Sequence, residues 1–200
     1  MANMYATKDW LKASWRAGRD MLRPVTGGSS SSDIHIHQQE TPVMVPIRSL
    51  GPSHRERIAQ HLLQLEPADR YLRFGYAASD EQIRRYAEQL NFERDEIFGI
   101  YNRRLDLVAM AHLAFSEHPE HKHCAEFGVS VLKQARGRGF GARLFERAVM
   151  HARNEGVNMV FIHALSENTA MLKIARNAGA TVRRDGSESE AYLQIPPASL

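Results

Sequence analysis

The chain has 200 residues, with 26 Lys and Arg against 23 Asp and Glu and a hydrophobic content of 43%. These values suit one globular domain plus an appendage, and they exclude a disordered chain or a strongly basic nucleic-acid-binding tail. No apolar run approaches the roughly 18 residues of a membrane-spanning helix, and the N-terminus lacks the order of a secretory signal.

Residues Lys8 to Leu22 carry Trp10, Leu11, Trp15 and Leu22 as an apolar stripe among basic residues, which predicts a short amphipathic helix. Gly27-Gly28 and Ser29 to Ser32 follow as a polar, flexible linker. The expected organisation is therefore an N-terminal appendage over 1–40 and one folded domain over 41–200.

Within the domain, Val43 to Ile47 reads as a strand whose Pro46 argues for an edge or an end. Ser53-His54-Arg55-Glu56 has the form of a capping box, with Ile58, Leu62 and Leu65 on one helical face. Ser79-Asp80-Glu81-Gln82 repeats the device ahead of Ile83, Tyr86, Ala87 and Leu90. Between the two helices lies Arg70-Tyr71-Leu72-Arg73-Phe74. Residues 96–101, 107–113 and 125–131 are short apolar runs bounded by polar turns, and read as three strands. A helix with Leu144, Phe145, Ala148, Val149 and Ala152 on one face comes next. The buried strand Val157 to Ile162, a helix from Asn168 to a stop at Gly179, and two weaker strands complete the chain. The order β-α-α-β-β-β-α-β-α-β-β defines an α+β protein with helices on the faces of a sheet.

The strongest chemical signal is the strand-to-helix turn Arg136-Gly137-Arg138-Gly139-Phe140-Gly141. Glycines let backbone N–H groups approach a phosphate, and the following helix adds orphan N–H groups and a positive dipole end. The G-x-G-x-x-G spacing of a dinucleotide fold and the G-x-x-x-x-G-K-[ST] loop are both absent. Glu126 lies in an otherwise apolar strand, on the face shared with Gly128 and Ser130, where burial raises a carboxyl pKa towards that of a useful base. The competing reading pairs it with an arginine on a solvated face. Cys124 is the only cysteine. It leaves no disulfide or cysteine-built zinc site, makes a reducing cytoplasm the expected setting, and has no patterned base to make it a nucleophile. His35 with His37, and His121 with His123, read as surface histidines rather than zinc ligands, and no metal is expected.

Arg136-x-x-Gly139-x-Gly141, with Val131 before it, Asn168-x-x-Met171 after it and the element order, resembles the GNAT acetyltransferases over roughly Val43 to Leu193. The resemblance implies a mixed, mostly antiparallel sheet of about six to seven strands flanked by about four helices. It implies acetyl-CoA as cosubstrate. The pantetheine arm would lie between two splayed strands near Val129 and Val131, with Asn168 beside it. The pyrophosphate would sit on the amides of Arg136, Gly137, Arg138, Gly139, Phe140 and Gly141. Glu126 matches a strand glutamate that serves as base in some protein-acetylating members, and Arg70 to Phe74 is similar to a stretch before the second helix in bacterial protein-acetylating domains, which reads either as substrate-side recognition or, as favoured here, as arginine and aromatic residues that pack helices. One departure stands out: Ala175 occupies the position of the family's usual tyrosine acid, which leaves His163, Ser166 or a water for that role.

The expected function is acetyl-CoA-dependent transfer to a primary amine, either a protein lysine or a small molecule, by direct attack. The alternative is a non-catalytic acyl-CoA-binding module. Nucleic-acid binding rests only on a pI near 9.2 and is not expected; homodimerisation is compatible with either reading.

Overall fold

The computed structural model describes residues 45–197. The helix expected over Lys8 to Leu22, the glycine-serine linker, His35, His37 and the domain start at Thr41 lie outside the described residues.

The first strand, β1 (Ile47–Ser49), begins just after Pro46, so Val45 and Pro46 lie outside the strand expected over Val43 to Ile47; among the described residues it pairs only with the next strand. Three helices follow: α1 (Arg55–Leu63), α2 (Pro67–Phe74) and α3 (Asp80–Gln89). The expected capping box at Ser53 does not form. Pro52–His54 makes a turn of 3-10 helix, so Ser53 is already inside helical backbone and His54 takes the cap position. Glu56 instead accepts from Gln60 Nε2 at 2.8 Å. The second box does form: Ser79 Oγ accepts from the Gln82 N–H at 3.2 Å, and Gln82 Oε1 accepts from the Ser79 N–H at 2.9 Å.

Helix α2 corrects the expectation of two helices here. Pro67 pre-sets the first turn and Gly75, at φ +77°, ends the helix in left-handed backbone. The stretch Arg70 to Phe74 is therefore the second half of a helix, not a connection.

The remaining elements are β2 (Glu96–Tyr101), β3 (Leu107–Phe115), β4 (Cys124–Val131), α4 (Phe140–Asn154), β5 (Met159–Leu165), α5 (Thr169–Asn177), β6 (Thr181–Asp185) and β7 (Glu188–Gln194). The seven strands form one sheet in the order β1-β2-β3-β4-β5-β7-β6. Every neighbouring pair is antiparallel except β4 and β5, which run parallel. Ile97, Phe98 and Ile100 of β2 are all fully buried, which accounts for a continuous apolar run where alternation would mark a one-sided strand.

Two apolar layers result. Phe98, Leu113, Phe127, Leu144, Phe145 and Leu172 join one sheet face to α4 and α5. Ile58, Leu62, Phe74, Ile83, Ile97 and Met110 join the other to α1, α2 and α3. The α+β, mixed-sheet class is as expected, with five described helices instead of about four. Ser79→Ala removes one satisfied cap and is expected to cost about 1 kcal/mol. A fall in Tm of roughly 2–4 °C by calorimetry would match that cost in a domain of this size.

Candidate active site

The pairing of β4 with β5 stops after three residue pairs, Cys124 with Met159, Ala125 with Val160 and Glu126 with Phe161. From Phe127 to Val131, β4 keeps its partner β3 but has none on its β5 side. Backbone polar groups on such an edge must find partners elsewhere. Along this gap runs a cleft of about 960 Å³, walled by α2, α3, β3, β4, the glycine loop, β5 and α5.

One end of the cleft is the glycine loop. Gly137 and Gly139 have φ +76° and +72°, and a Cβ at either would meet nothing within 4 Å. The two glycines therefore supply left-handed backbone around an open cradle. Gly139 is the cap residue of α4 and offers no side-chain acceptor, so the first N–H groups of a 15-residue helix are left facing the cleft end. Gly141 does a different job: a Cβ there would lie 3.1 Å from Ile174 Cδ1, so it lets α4 close on α5. Phe140 sends its ring into the core.

Arg136 is on the cleft wall, but its guanidinium is held by Asp69 of α2 at 2.7 Å and by the Val131 carbonyl at 3.2 Å. Arg138 is exposed and does not line the cleft. Val129 and Val131 line it while packing partly on the core. Asn168 also lines it, with its Oδ1 spent on capping α5 through the Met171 N–H at 3.2 Å.

The other half of the cleft holds Glu126, Gly128 and Ser130, which share one face of β4, as alternation predicted. Burial pushes the Glu126 carboxyl up to about 7, against a smaller downward pull from Arg73. No ion pair involving Glu126 occurs, so the arginine-paired alternative does not hold among the described residues. Ala175 is fully buried in the core, away from the cleft wall. Of its stand-ins, His163 lines the cleft. Ser166 does not; its Oγ is occupied by the carbonyls of Gly186 and Glu188 and by Ser189. Cys124 lies off the cleft wall, and burial raises its thiol pKa.

The structure adds a polar chain along the cleft. Arg73 Nη2 donates to the Tyr86 hydroxyl at 3.0 Å, which in turn lies 2.7 Å from His112 Nδ1. His112 Nε2 is 2.8 Å from Asp95 Oδ2. Burial alone would raise the Asp95 carboxyl, yet hydrogen bonds from Arg94 and His112 outweigh it and hold its pKa below the ordinary value. Asp95 is thus an ionised acceptor, which assigns the proton of the buried, neutral His112 to Nε2. Its Nδ1 must then accept from Tyr86 O–H. Arg94 closes the far end through two contacts to Asp95 and one to Glu117.

A second buried pair lies beside it. His61 Nδ1 bonds the Leu107 carbonyl and Nε2 bonds Ser130 Oγ, both at 2.8 Å. Burial lowers the His61 pKa to about 4, so the ring is neutral and Ser130 donates to it. Apart from Arg73, within the Arg70–Phe74 stretch, and Ser130, on the face of Glu126, none of these partners was singled out from sequence. Tyr86 passed as part of a helical apolar face, and the only visible hint was a histidine inside each of two apolar patterns.

The model of the Acetyltransferase (GNAT) family matches residues 58–180. The chain belongs to the GNAT family. The GNAT domain of PAT from S. lividans is 19% identical, covering 74% of this chain and 89% of that one with a TM-score of 0.63. A GCN5-related N-acetyltransferase from Kribbella flavida is 17% identical over 78% and 100%, also at 0.63. An acetyltransferase of the GNAT family from Streptococcus pneumoniae is 13% identical over 76% and 99%, at 0.61. At these identities the likeness establishes the GNAT fold. Among the described residues, no helix of this GNAT domain is long and apolar enough to cross a membrane. No described group of three or more His, Cys, Asp or Glu is arranged to hold a metal ion.

Ser130→Ala would strand the acceptor nitrogen of His61 in the interior. It is expected to lower unfolding free energy by about 1–3 kcal/mol, read as a lower denaturant midpoint at unchanged slope.

Proposed function

We propose that this GNAT protein is an N-acetyltransferase that moves the acetyl group of acetyl-CoA to a primary amine by direct attack. The observation that carries the reading is Glu126, a carboxyl with a pKa of about 7 in the cleft wall where β4 and β5 part.

The residues present fit the cosubstrate. Gly137 and Gly139 leave an open cradle at the N-terminus of α4, suited to pyrophosphate, where the N–H groups from Arg136 to Gly141 would serve. The unpaired edge of β4 near Val129 and Val131 suits the amides of the pantetheine arm, with Asn168 on the opposite wall. Arg136 would serve a phosphate only by loosening its ion pair with Asp69. Arg138, exposed and off the wall, contributes its backbone N–H and surface charge.

Glu126 takes the proton that the acceptor ammonium must lose. The amine nitrogen then bonds the thioester carbonyl carbon and gives up its second proton to water, the carbon–sulfur bond breaks, and the CoA thiolate takes up a proton from the Glu126 carboxyl or from water. No serine or cysteine carries the acetyl group between the two. The absent tyrosine at Ala175 supports a second reading, a GNAT module that binds acyl-CoA without turnover.

Acetyl-CoA is expected to bind in calorimetry, and undetectable binding at millimolar cofactor would end both readings. Glu126→Gln should cut kcat at least 100-fold with unchanged acetyl-CoA affinity; a wild-type protein inert towards a broad amine panel would favour the module. The base works only when ionised, so kcat/KM should rise with pH through about 7 and level off above it. The raised pKa also means that Glu126 costs stability progressively as pH climbs from about 4.5 to about 7, with the full cost present above 7, so Glu126→Gln should melt higher than wild type at pH 8.

A further inference from the structure

Arg70 and Arg73, one turn apart on α2, have opposite surroundings. Arg70 is used up in holding the fold, donating to the carbonyls of Leu63, Leu65 and Ala78 and pairing with Asp80 at 2.7 Å. Arg73 faces the cleft. Its guanidinium lies over the Phe74 and Tyr86 rings, at 5.0 and 5.6 Å from their centroids. It also rests on Gly128: a Cβ there would come within 2.8 Å of Cζ, so only glycine leaves room for it.

This cation has no carboxylate within 4.0 Å among the described residues. Its one hydrogen bond goes to the Tyr86 hydroxyl, and its buried Nε has no partner. Glu126, on the same strand face, is near half-protonation at neutral pH and compensates it poorly. A charge withdrawn from water is normally paired. Here the pairing groups point the other way, since Tyr86, His112 and Asp95 fix the orientation of Arg73 from behind and leave Nη1 for a ligand.

We propose that Arg73 binds the carboxylate of the acceptor, which makes the acceptor a free amino acid. The inference rests on the transferase reading above. Glu126 and Gly128 are two residues apart on a strand, about 7 Å. One small amino acid spans that distance, with its amine hydrogen-bonded to Glu126, its carboxylate on Arg73, and a contact of about 2.8 Å at each end. The phosphates of acetyl-CoA have their own place at the loop from Arg136 to Gly141. The Tyr86–His112–Asp95 chain acts through Arg73, as positioning residues.

The test is calorimetric titration of the CoA-loaded full chain with the twenty N-acetyl amino acids, the products of such a reaction, and with their carboxamides. At least one acid should bind more than 10-fold tighter than its amide. Arg73→Gln should erase that ratio while leaving CoA affinity unchanged, Arg73→Lys should keep part of it, and Tyr86→Phe should reduce it. Equal binding of acids and amides by wild type overturns the proposal, whether or not any variant folds. So does a ratio that survives Arg73→Gln, binding by none of the acids, or tighter binding of acetyl-lysine peptides than of any free acid. Failure of CoA itself to bind strikes the transferase reading instead.

Discussion

The active cleft depends on β4 and β5 parting after three pairs. Up to Glu126 the two strands are hydrogen-bonded neighbours in a parallel pair; beyond it the β5-side edge of β4 is without a strand. A buried strand edge is costly unless something else bonds it. Along this edge β4 stays paired with β3 over seven residues, so the gap opens only on its β5 side. On one side the antiparallel pairing with β7 carries β5 away over seven residues, and on the other α2 packs against both parted strands. The glycine loop closes the far end, because β4 leads into it through a 3-10 turn at Lys133–Ala135.

The electrostatics of the cleft follow from the same geometry. Glu126 is the last β4 residue with a partner on β5, and at that position, half-buried on the cleft wall, burial raises the pKa of its carboxyl. Arg73 reaches the next position on that face only because residue 128 has no side chain. A carboxyl that is reluctant to ionise thus stands beside a cation that is fully charged and incompletely paired. Burial is the larger effect on Glu126, and it leaves the cleft with a carboxyl that titrates near neutrality and a positive charge beside it. The chain Tyr86, His112 and Asp95 keeps that charge from swinging away.

Much of the architecture was legible from periodicity and punctuation. Strands and helices came in the right order, because Gly179 ends one helix, Ser79 starts another, and the run around Phe98 is apolar on both faces. The failures have local causes. Pro52 drew the chain into a 3-10 turn and so displaced Ser53 from its cap. Helix α2 is eight residues long, too short for a 3.6-residue pattern to stand out, and Pro67 sets its first turn. The composition of the glycine loop marked a left-handed turn opening a helix, which the structure has at Gly137 and Gly139, while Gly141 serves helix packing and Arg136 is paired with Asp69.

By itself, the sequence determined the strands and every described helix but α2, that a glycine-rich turn links β4 to α4, and that Glu126 sits on the face of Gly128 and Ser130. All of these depend on neighbours within a few residues, where spacing and backbone freedom dictate the outcome. Only the tertiary structure decided which groups meet across the cleft. Arg73 and Gly128 are 55 positions apart, while Tyr86 and His112 are separated by 26 and His61 and Ser130 by 69. Such pairings are set by how helices lie on a sheet. No local pattern could have told the arginine that holds α2 in place from the one left facing a ligand.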